Sequence, residues 1–366
     1  MKLRTLFSLV KEEFFDTLKI RRKPHTLQMP ITSRCNSRCV TCNVWKEHSK
    51  VDMNPQKLRE VLSSPYFSEV KFVGLNGGEL TLIPNFFEIL DSVLSLPKIK
   101  NIHLISNGLL PERLLDLLEK AKKICDAKNV KLGFTLSVDG VGSVHEHVRG
   151  VPKCFERTRC ILDKFKQDPQ RYFSYGVIGC TLSRYNISYV REMDVFFEDY
   201  PLTVEWHIAV PNKRIHTYND SDNYYLLNDE KARLLAIEFF YDRMCRAKSF
   251  RKFRWFAQYY FLLNKGKGRL AQCAYHYKDV TIDENLFLYL CATASDKIGD
   301  LNIEGVSTIK ARRSFSQEAY NIGKHCDQCV HYIYDNPTFK GFLIFCGYML
   351  RNRFRWNKKF EYLVKW

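Results

Sequence analysis

Val70-Lys71-Phe72-Val73-Gly74-Leu75-Asn76-Gly77-Gly78-Glu79 is the stretch that decides the fold. Its apolar run, stopped by paired glycines, has the pattern of a buried strand. Working outward, the same alternation repeats. A helical period over 86–96 precedes a strand at 101–106, and helix 112–125 precedes strand 131–138. Helix 154–166 precedes strand 173–182, and helix 190–200 precedes strand 203–210. Upstream, an extended run at 25–32 leads to a helix over 54–64 with Pro55 in its first turn, where proline is tolerated. Six β units with intervening helices predict an α/β chain with a parallel sheet, a partial (β/α)6 TIM-type barrel. After a helix at 230–246 the alternation stops and the chain becomes cysteine-rich. The expected organisation is a basic amphipathic N-terminal helix (1–24), the partial barrel (25–246), a basic linker or helix (247–271), and a small cysteine-rich domain with a basic tail (272–366).

The composition narrows the function classes. The chain has 366 residues, 45% hydrophobic and 27% charged, a globular balance rather than a disordered one. A chain this long needs no disulfides for stability, so its 13 cysteines need another explanation. The longest near-continuous apolar stretch, 341–350, is far short of the ~20 residues that span a bilayer. The apolar N-terminal stretch ends at Lys11-Glu12-Glu13 without a small-residue cleavage site, unlike a signal peptide. The expectation is a cytoplasmic protein with no integral membrane segment, whose reduced cysteines bind metal. The net charge is +17. Residues 243–269 carry nine Lys/Arg and no acid, interleaved with aromatics, and 351–365 carry six basic residues and one acid. Such a field favours anionic partners: phosphates, nucleotides, RNA or an acidic membrane surface. The alternative is a solvated basic helix with an aromatic core face.

The sharpest motif is Cys35-Asn36-Ser37-Arg38-Cys39-Val40-Thr41-Cys42. Three thiolates at this spacing can grip three irons of a cubane and leave the fourth open. The amino and carboxylate groups of S-adenosylmethionine (SAM) can fill that open iron. Electron transfer into the sulfonium then releases a 5′-deoxyadenosyl radical. The loop follows the first strand, at the C-terminal mouth where barrel active sites sit. A Cys₃His zinc site with His48 as fourth ligand is the alternative for the trio alone. Further motifs stand at later strand ends: Gly77-Gly78-Glu79, whose glycines permit close backbone approach and whose carboxylate suits an ammonium group; Ser106-Asn107-Gly108; Ser137-Val138-Asp139-Gly140; and His145-Glu146-His147-Val148-Arg149-Gly150.

Together these motifs resemble a radical SAM enzyme over about residues 25–210. The resemblance implies that Cys35, Cys39 and Cys42 hold the 4Fe–4S cluster that binds SAM, and that Gly77, Gly78 and Glu79 bind the methionine amino group. It implies that Ser137 and Asn107 contact ribose or methionine, that Arg149 pairs with the methionine carboxylate, and that a reductant such as flavodoxin or ferredoxin is a partner. One position departs from the family. Thr41 stands where an aromatic usually lies beside the adenine, which shifts that role toward Trp45.

Cys273, Cys291 and Cys326-Asp327-Gln328-Cys329 form a second constellation. A zinc ribbon and a cluster site share this spacing. The layout resembles the Twitch/SPASM auxiliary domains of radical SAM enzymes, which implies a second 4Fe–4S cluster. Cys346 lies in an apolar setting and is read as packed rather than ligating, the alternative being a three-cysteine site of Cys326, Cys329 and Cys346 with an open iron. Cys125, Cys154, Cys160, Cys180 and Cys245 are read as small buried hydrophobes. On the sixth strand Glu205 and His207 share a face near the mouth. The expected function is hydrogen abstraction from a small-molecule or peptide substrate, such as a sugar or aminocyclitol, followed by oxidation or epimerisation. The alternatives are an RNA- or nucleotide-modifying radical enzyme and a non-catalytic iron–sulfur protein.

Overall fold

The computed structural model describes residues 21–47, 50–218, 220–248, 251–331 and 336–352. Most of the expected N-terminal helix, His48 and most of the basic tail lie outside the described residues.

Strands β1 (Thr26–Pro30), β2 (Phe72–Asn76), β3 (Asn101–Ser106), β4 (Lys131–Ser137), β5 (Tyr175–Leu182) and β6 (Thr203–Ile208) pair in chain order, every neighbour parallel. The helices between them are α1 (Pro55–Leu62), α2 (Phe86–Leu94), α3 (Pro111–Ala127), α4 (Ser143–Arg149), α5 (Cys154–Gln167) and α6 (Val190–Glu198). This is the partial (β/α)6 barrel that the alternation predicts. The local causes are visible at the helix starts. Pro55 opens α1 and the Asn54 side chain accepts from Lys57 N at 2.9 Å, one of the orphan donors that a helix start leaves. One face of each strand supplies the core under the helices. Val73, Leu75, Ile102, Leu104, Leu132, Leu136 and Ile178 are fully buried. Phe134 of β4 meets Phe165 of α5 edge to face at 5.6 Å.

After β6 come α7 (Glu230–Arg246) and α8 (Lys252–Leu263). Residues 252–263 of the basic segment form a packed helix. Phe240 stacks on Trp255 at 6.1 Å, and Phe253 and Phe256 meet Phe345 at 5.6 and 5.2 Å. Its aromatics are the core face and Arg251 is exposed.

The cysteine-rich region contributes β7 (Val280–Ile282), β8 (Phe287–Tyr289) and β9 (Gly299–Asp300), then α9 (Val306–Ala311), α10 (Arg313–His325) and α11 (Phe339–Asn352). These strands extend the barrel sheet, giving the order β6-β5-β4-β3-β2-β1-β7-β8-β9. Strand β7 lies parallel to β1, with Leu27 opposite Val280, and the two following pairings are antiparallel. Among the described residues, no helix is long and apolar enough to cross a membrane. Cys125, Cys154 and Cys180 are buried as expected, but Cys160 is exposed and Cys245 half-buried. For Cys160 the expectation fails because its position on α5 faces solvent rather than the sheet.

Candidate active site

The cysteine loop follows β1 at the C-terminal mouth. It is clamped from two sides by backbone hydrogen bonds. On one side, Gly78 N donates to Thr32 O at 2.8 Å and Glu79 N to Arg34 O at 2.7 Å. A Cβ on Gly78 would stand 2.0 Å from Arg34 O, and one on Gly77 2.6 Å from Thr32 O. The paired glycines therefore admit the cysteine loop's own backbone. On the other side, Arg38 N donates to Arg149 O at 2.8 Å and Val40 N to Val148 O at 3.0 Å. Gly150 ends α4 at φ +64, and a Cβ there would lie 2.4 Å from Arg38 O. Both the left-handed backbone and the close approach require glycine.

Cys35, Cys39 and Cys42 are free and half-buried on this loop. Ser37 N and Asn107 Nδ2 donate to Cys35 Sγ at 3.4 and 3.9 Å. Ser37 Oγ lies 3.1 Å from Cys39 Sγ, and Arg149 Nη1 donates to Cys39 Sγ at 3.7 Å. Burial, with the other thiols' charges, pushes Cys35 up to about 12 and Cys42 up to about 11. A bound cationic group reverses that by taking the thiolates as ligands.

Arg149 is buried and bridges the loop to β4. Its Nη2 lies 2.9 Å from Asp139 Oδ2, and Asp139 Oδ1 accepts from Thr181 N at 2.7 Å. Burial alone would lower the guanidinium, but Asp139 and the Cys39 thiolate outweigh it and raise it. Arg149 Nε is buried and has no hydrogen-bond partner among the described residues. Glu79 is also fully buried. Its Oε1 accepts from Thr81 N, Thr81 Oγ1 and Ser106 Oγ at 3.0, 2.8 and 2.8 Å, and its Oε2 from Asn107 N at 2.8 Å. Burial raises this carboxyl against those four bonds. Glu79 thus braces the end of β3 and aims Asn107, whose amide reaches Asn36 Oδ1 at 2.9 Å and the Cys35 thiol. Ser137 is half-buried at the end of β4, opposite Gly179. Trp45 lies on the loop, its Nε1 donating to Cys39 O at 3.4 Å, with Arg38 over its ring at 5.5 Å.

These residues fit a 4Fe–4S cluster with SAM. Three thiols share one loop, amide and guanidinium donors reach two of them, and a buried guanidinium N–H beside them lacks an acceptor, as a carboxylate ligand would require. Among the described residues, no three His, Cys, Asp or Glu side chains converge as ligands of a single ion. A cubane's thiolates need no such convergence, because each binds its own iron.

The second cysteine group lies at the far end of the sheet. Cys273 precedes a short 3₁₀ turn, Cys291 follows β8, and Cys326 and Cys329 bracket the turn after α10. All are half-buried. Burial raises Cys273 to about 11 and raises Cys326 and Cys329, and each feels the charge of others of the four. Cys346 lies on α11 and is half-buried. Arg269, the last cation of the basic segment, was not singled out by sequence. It donates to the carbonyls of Cys329 and His331 at 3.0 and 2.7 Å and lowers the neighbouring thiols. The loop after β6 ties the two groups together. Asn43 Nδ2 donates to His216 O at 3.0 Å and to Asp220 Oδ2 at 2.7 Å, while Lys213 N donates to Thr293 O at 2.7 Å.

Comparison with known proteins follows the same division. Residues 29–179 match the family model described as the radical SAM superfamily. A GTP 3′,8-cyclase of Clostridium botulinum is 30% identical over 105 residues, covering 27% of this chain and 33% of that protein. One from Mannheimia succiniciproducens is 24% identical over 204 residues, covering 50% and 59%. The chain thus spans about a third of the clostridial relative's length. The structure of histidine-tagged anSMEcpe with bound AdoMet is 17% identical at TM-score 0.59, covering 91% of this chain and 94% of that one. Streptococcus suis SuiB bound to S-adenosylmethionine is 14% identical at TM-score 0.57, covering 86% and 72%. At these identities the structural likeness is one of fold.

Proposed function

We propose, from the premise that this chain carries a radical SAM domain over residues 29–179, that it cleaves SAM reductively and abstracts hydrogen from a sugar, aminocyclitol or peptide substrate. The substrate is then oxidised or epimerised with the help of a second 4Fe–4S cluster. The observation that carries the reading is the buried Arg149, set between Cys39 and Asp139 with its Nε unpartnered. When bound, the cluster and SAM supply an electron and a 5′-deoxyadenosyl radical that takes the substrate hydrogen.

The chain's own groups have separate tasks. Cys35, Cys39 and Cys42 hold the cluster, and Gly77, Gly78 and Gly150 keep their loop seated. Arg149 Nε takes the methionine carboxylate, Asp139 holds that guanidinium in place, and Glu79 orients Asn107 toward the cysteine loop. Ser137 and Asn107 contact the ribose or methionine of SAM. Cys273, Cys291, Cys326 and Cys329 hold the second cluster, with Arg269 beside their thiolates. A flavodoxin or ferredoxin supplies the electron.

The test is anaerobic turnover with SAM and a strong reductant. Wild type should form 5′-deoxyadenosine, while Cys39→Ala should form none and lose about four of about eight irons. Retained cleavage in that variant overturns the assignment. A second reading, a nucleotide- or RNA-modifying radical enzyme, is supported by the GTP 3′,8-cyclase relatives and by the +17 charge. It predicts steeply salt-dependent nucleotide or RNA binding.

A further inference from the structure

Each barrel strand turns one face to the helices, and the other face lines the barrel interior. On β6, Trp206 packs on Phe239 of α7 at 5.0 Å, so its neighbours Glu205 and His207 point inward. The register places Ser137, Gly179 and Glu205 side by side across β4, β5 and β6. Because Gly179 has no side chain, Ser137 and Glu205 face each other across a notch at the mouth. A Cβ at Gly179 would enter it and stand 2.6 Å from the Thr135 methyl.

Glu205 is the carboxylate of this wall. His207 Nε2 lies 3.4 Å from Oε2, and Arg254 Nη1 of α8 lies 3.5 Å from Oε1. The Arg254 side chain is 16% exposed and that of Glu205 26%. Burial would raise this carboxyl, yet His207, Arg254 and His103 together hold it down at about 2. Deeper in the barrel, His103 Nε2 lies 2.7 Å from Thr135 Oγ1 and its Nδ1 3.4 Å from Tyr175 OH. Gly133 makes room for that pair, since its Cβ would stand 2.2 Å from Tyr175 Cζ and 2.4 Å from His103 Nδ1. Burial lowers His103 to about 4, so its ring is neutral. The wall therefore presents an ionised carboxylate, ion-paired at 3.5 Å with Arg254, above a neutral imidazole and the two hydroxyls bonded to it. Phosphate bound here would sit beside that negative charge.

We infer that this interior wall, headed by Glu205 at the Gly179 notch, is the substrate-recognition site, and that it takes a hydroxyl- and amine-bearing group, as in an amino sugar, rather than a phosphorylated group. This deepens the proposed function and rests on it for placing SAM at the same mouth. Arg254 would then be a positioning residue for Glu205, not an anion ligand.

The test uses the anaerobically reconstituted full chain with SAM present and glucosamine and glucosamine 6-phosphate as probes, with affinities read by titration calorimetry. Glucosamine should bind wild type, and its phosphate should bind no more tightly. Glu205→Gln should weaken glucosamine by about tenfold or more, the scale of a hydrogen bond to a charged group. Gly179→Ala keeps the Glu205–Arg254 pair and fills the notch, and should weaken it to a similar extent. If Glu205→Gln melts early, the glycine variant decides. No glucosamine binding by wild type, equal binding by wild type and Gly179→Ala, or tenfold preference for the phosphate would each overturn the inference. Binding is read without turnover. A wild type that binds glucosamine but forms no 5′-deoxyadenosine refutes the proposed chemistry, not this site.

Discussion

Gly78→Ala tests whether the glycine pair serves the cysteine loop. The new Cβ would stand 2.0 Å from Arg34 O, against the 3.4 Å at which ordinary contact begins. The obstacle is backbone, so no rotamer change relieves it. Gly78 is outside the left-handed region, so the cost is steric and not conformational. Relief requires moving Arg34 O, which breaks the 2.7 Å bond from Glu79 N and loosens the 2.8 Å bond from Gly78 N. Two hydrogen bonds at ~1 kcal/mol each, plus a carbonyl left without a partner, come to about 3–5 kcal/mol. A fall in Tm of about 4–8 °C is expected, and because Arg34 adjoins Cys35, the SAM cluster should be lost. Iron and sulfide content after anaerobic reconstitution, with a thermal melt of the apoprotein, reads both effects. Gly142→Ala is the control. It has φ +55, ψ −130 and nothing within 4 Å of its Cβ, so it should cost about 1–3 kcal/mol of backbone strain and keep full iron. Gly78→Ala with wild-type iron and an unchanged melt would refute the clamp.

Further outcomes concern the other groups. Cys346→Ala should keep full iron content, whereas Cys291→Ala should lose about four irons; the reverse pattern in an iron assay would move Cys346 into the ligand set. Arg149→Met leaves Asp139 buried with its charge partner gone and should cost about 3–5 kcal/mol in urea unfolding. It should also weaken SAM at least about tenfold by equilibrium dialysis, and unchanged SAM affinity would remove Arg149 from that site. His103 is held down to about 4 by burial. Its depressed value makes a stability contribution that is present above the unfolded value near 6.5 and lost as pH falls toward about 4. His103→Gln should flatten the decline in urea stability across that window, and an identical slope would show that His103 is not the group responsible.

Some of this protein was legible because the signal is local. The period that switches between strand and helix from 25 to 210 predicts the six parallel strands, since burial on one face of each element must follow its own repeat. The Cys35, Cys39 and Cys42 spacing is likewise confined to eight residues. Other features arise only when distant segments meet. Gly77-Gly78 reads as a ligand-binding turn in sequence, and that Thr32 and Arg34 also pack against it is decided by the sheet. Arg149 and Asp139 are near in sequence, yet their pairing depends on α4 folding back onto the cysteine loop. Arg254 belongs to a basic run whose charge suggests an exposed anion site. The packing of α8 turns it inward to Glu205, 49 positions earlier. Strand β7 pairs with β1 across some 250 residues, and no periodicity carries that, because a strand's repeat specifies which face is buried and not which edge it joins.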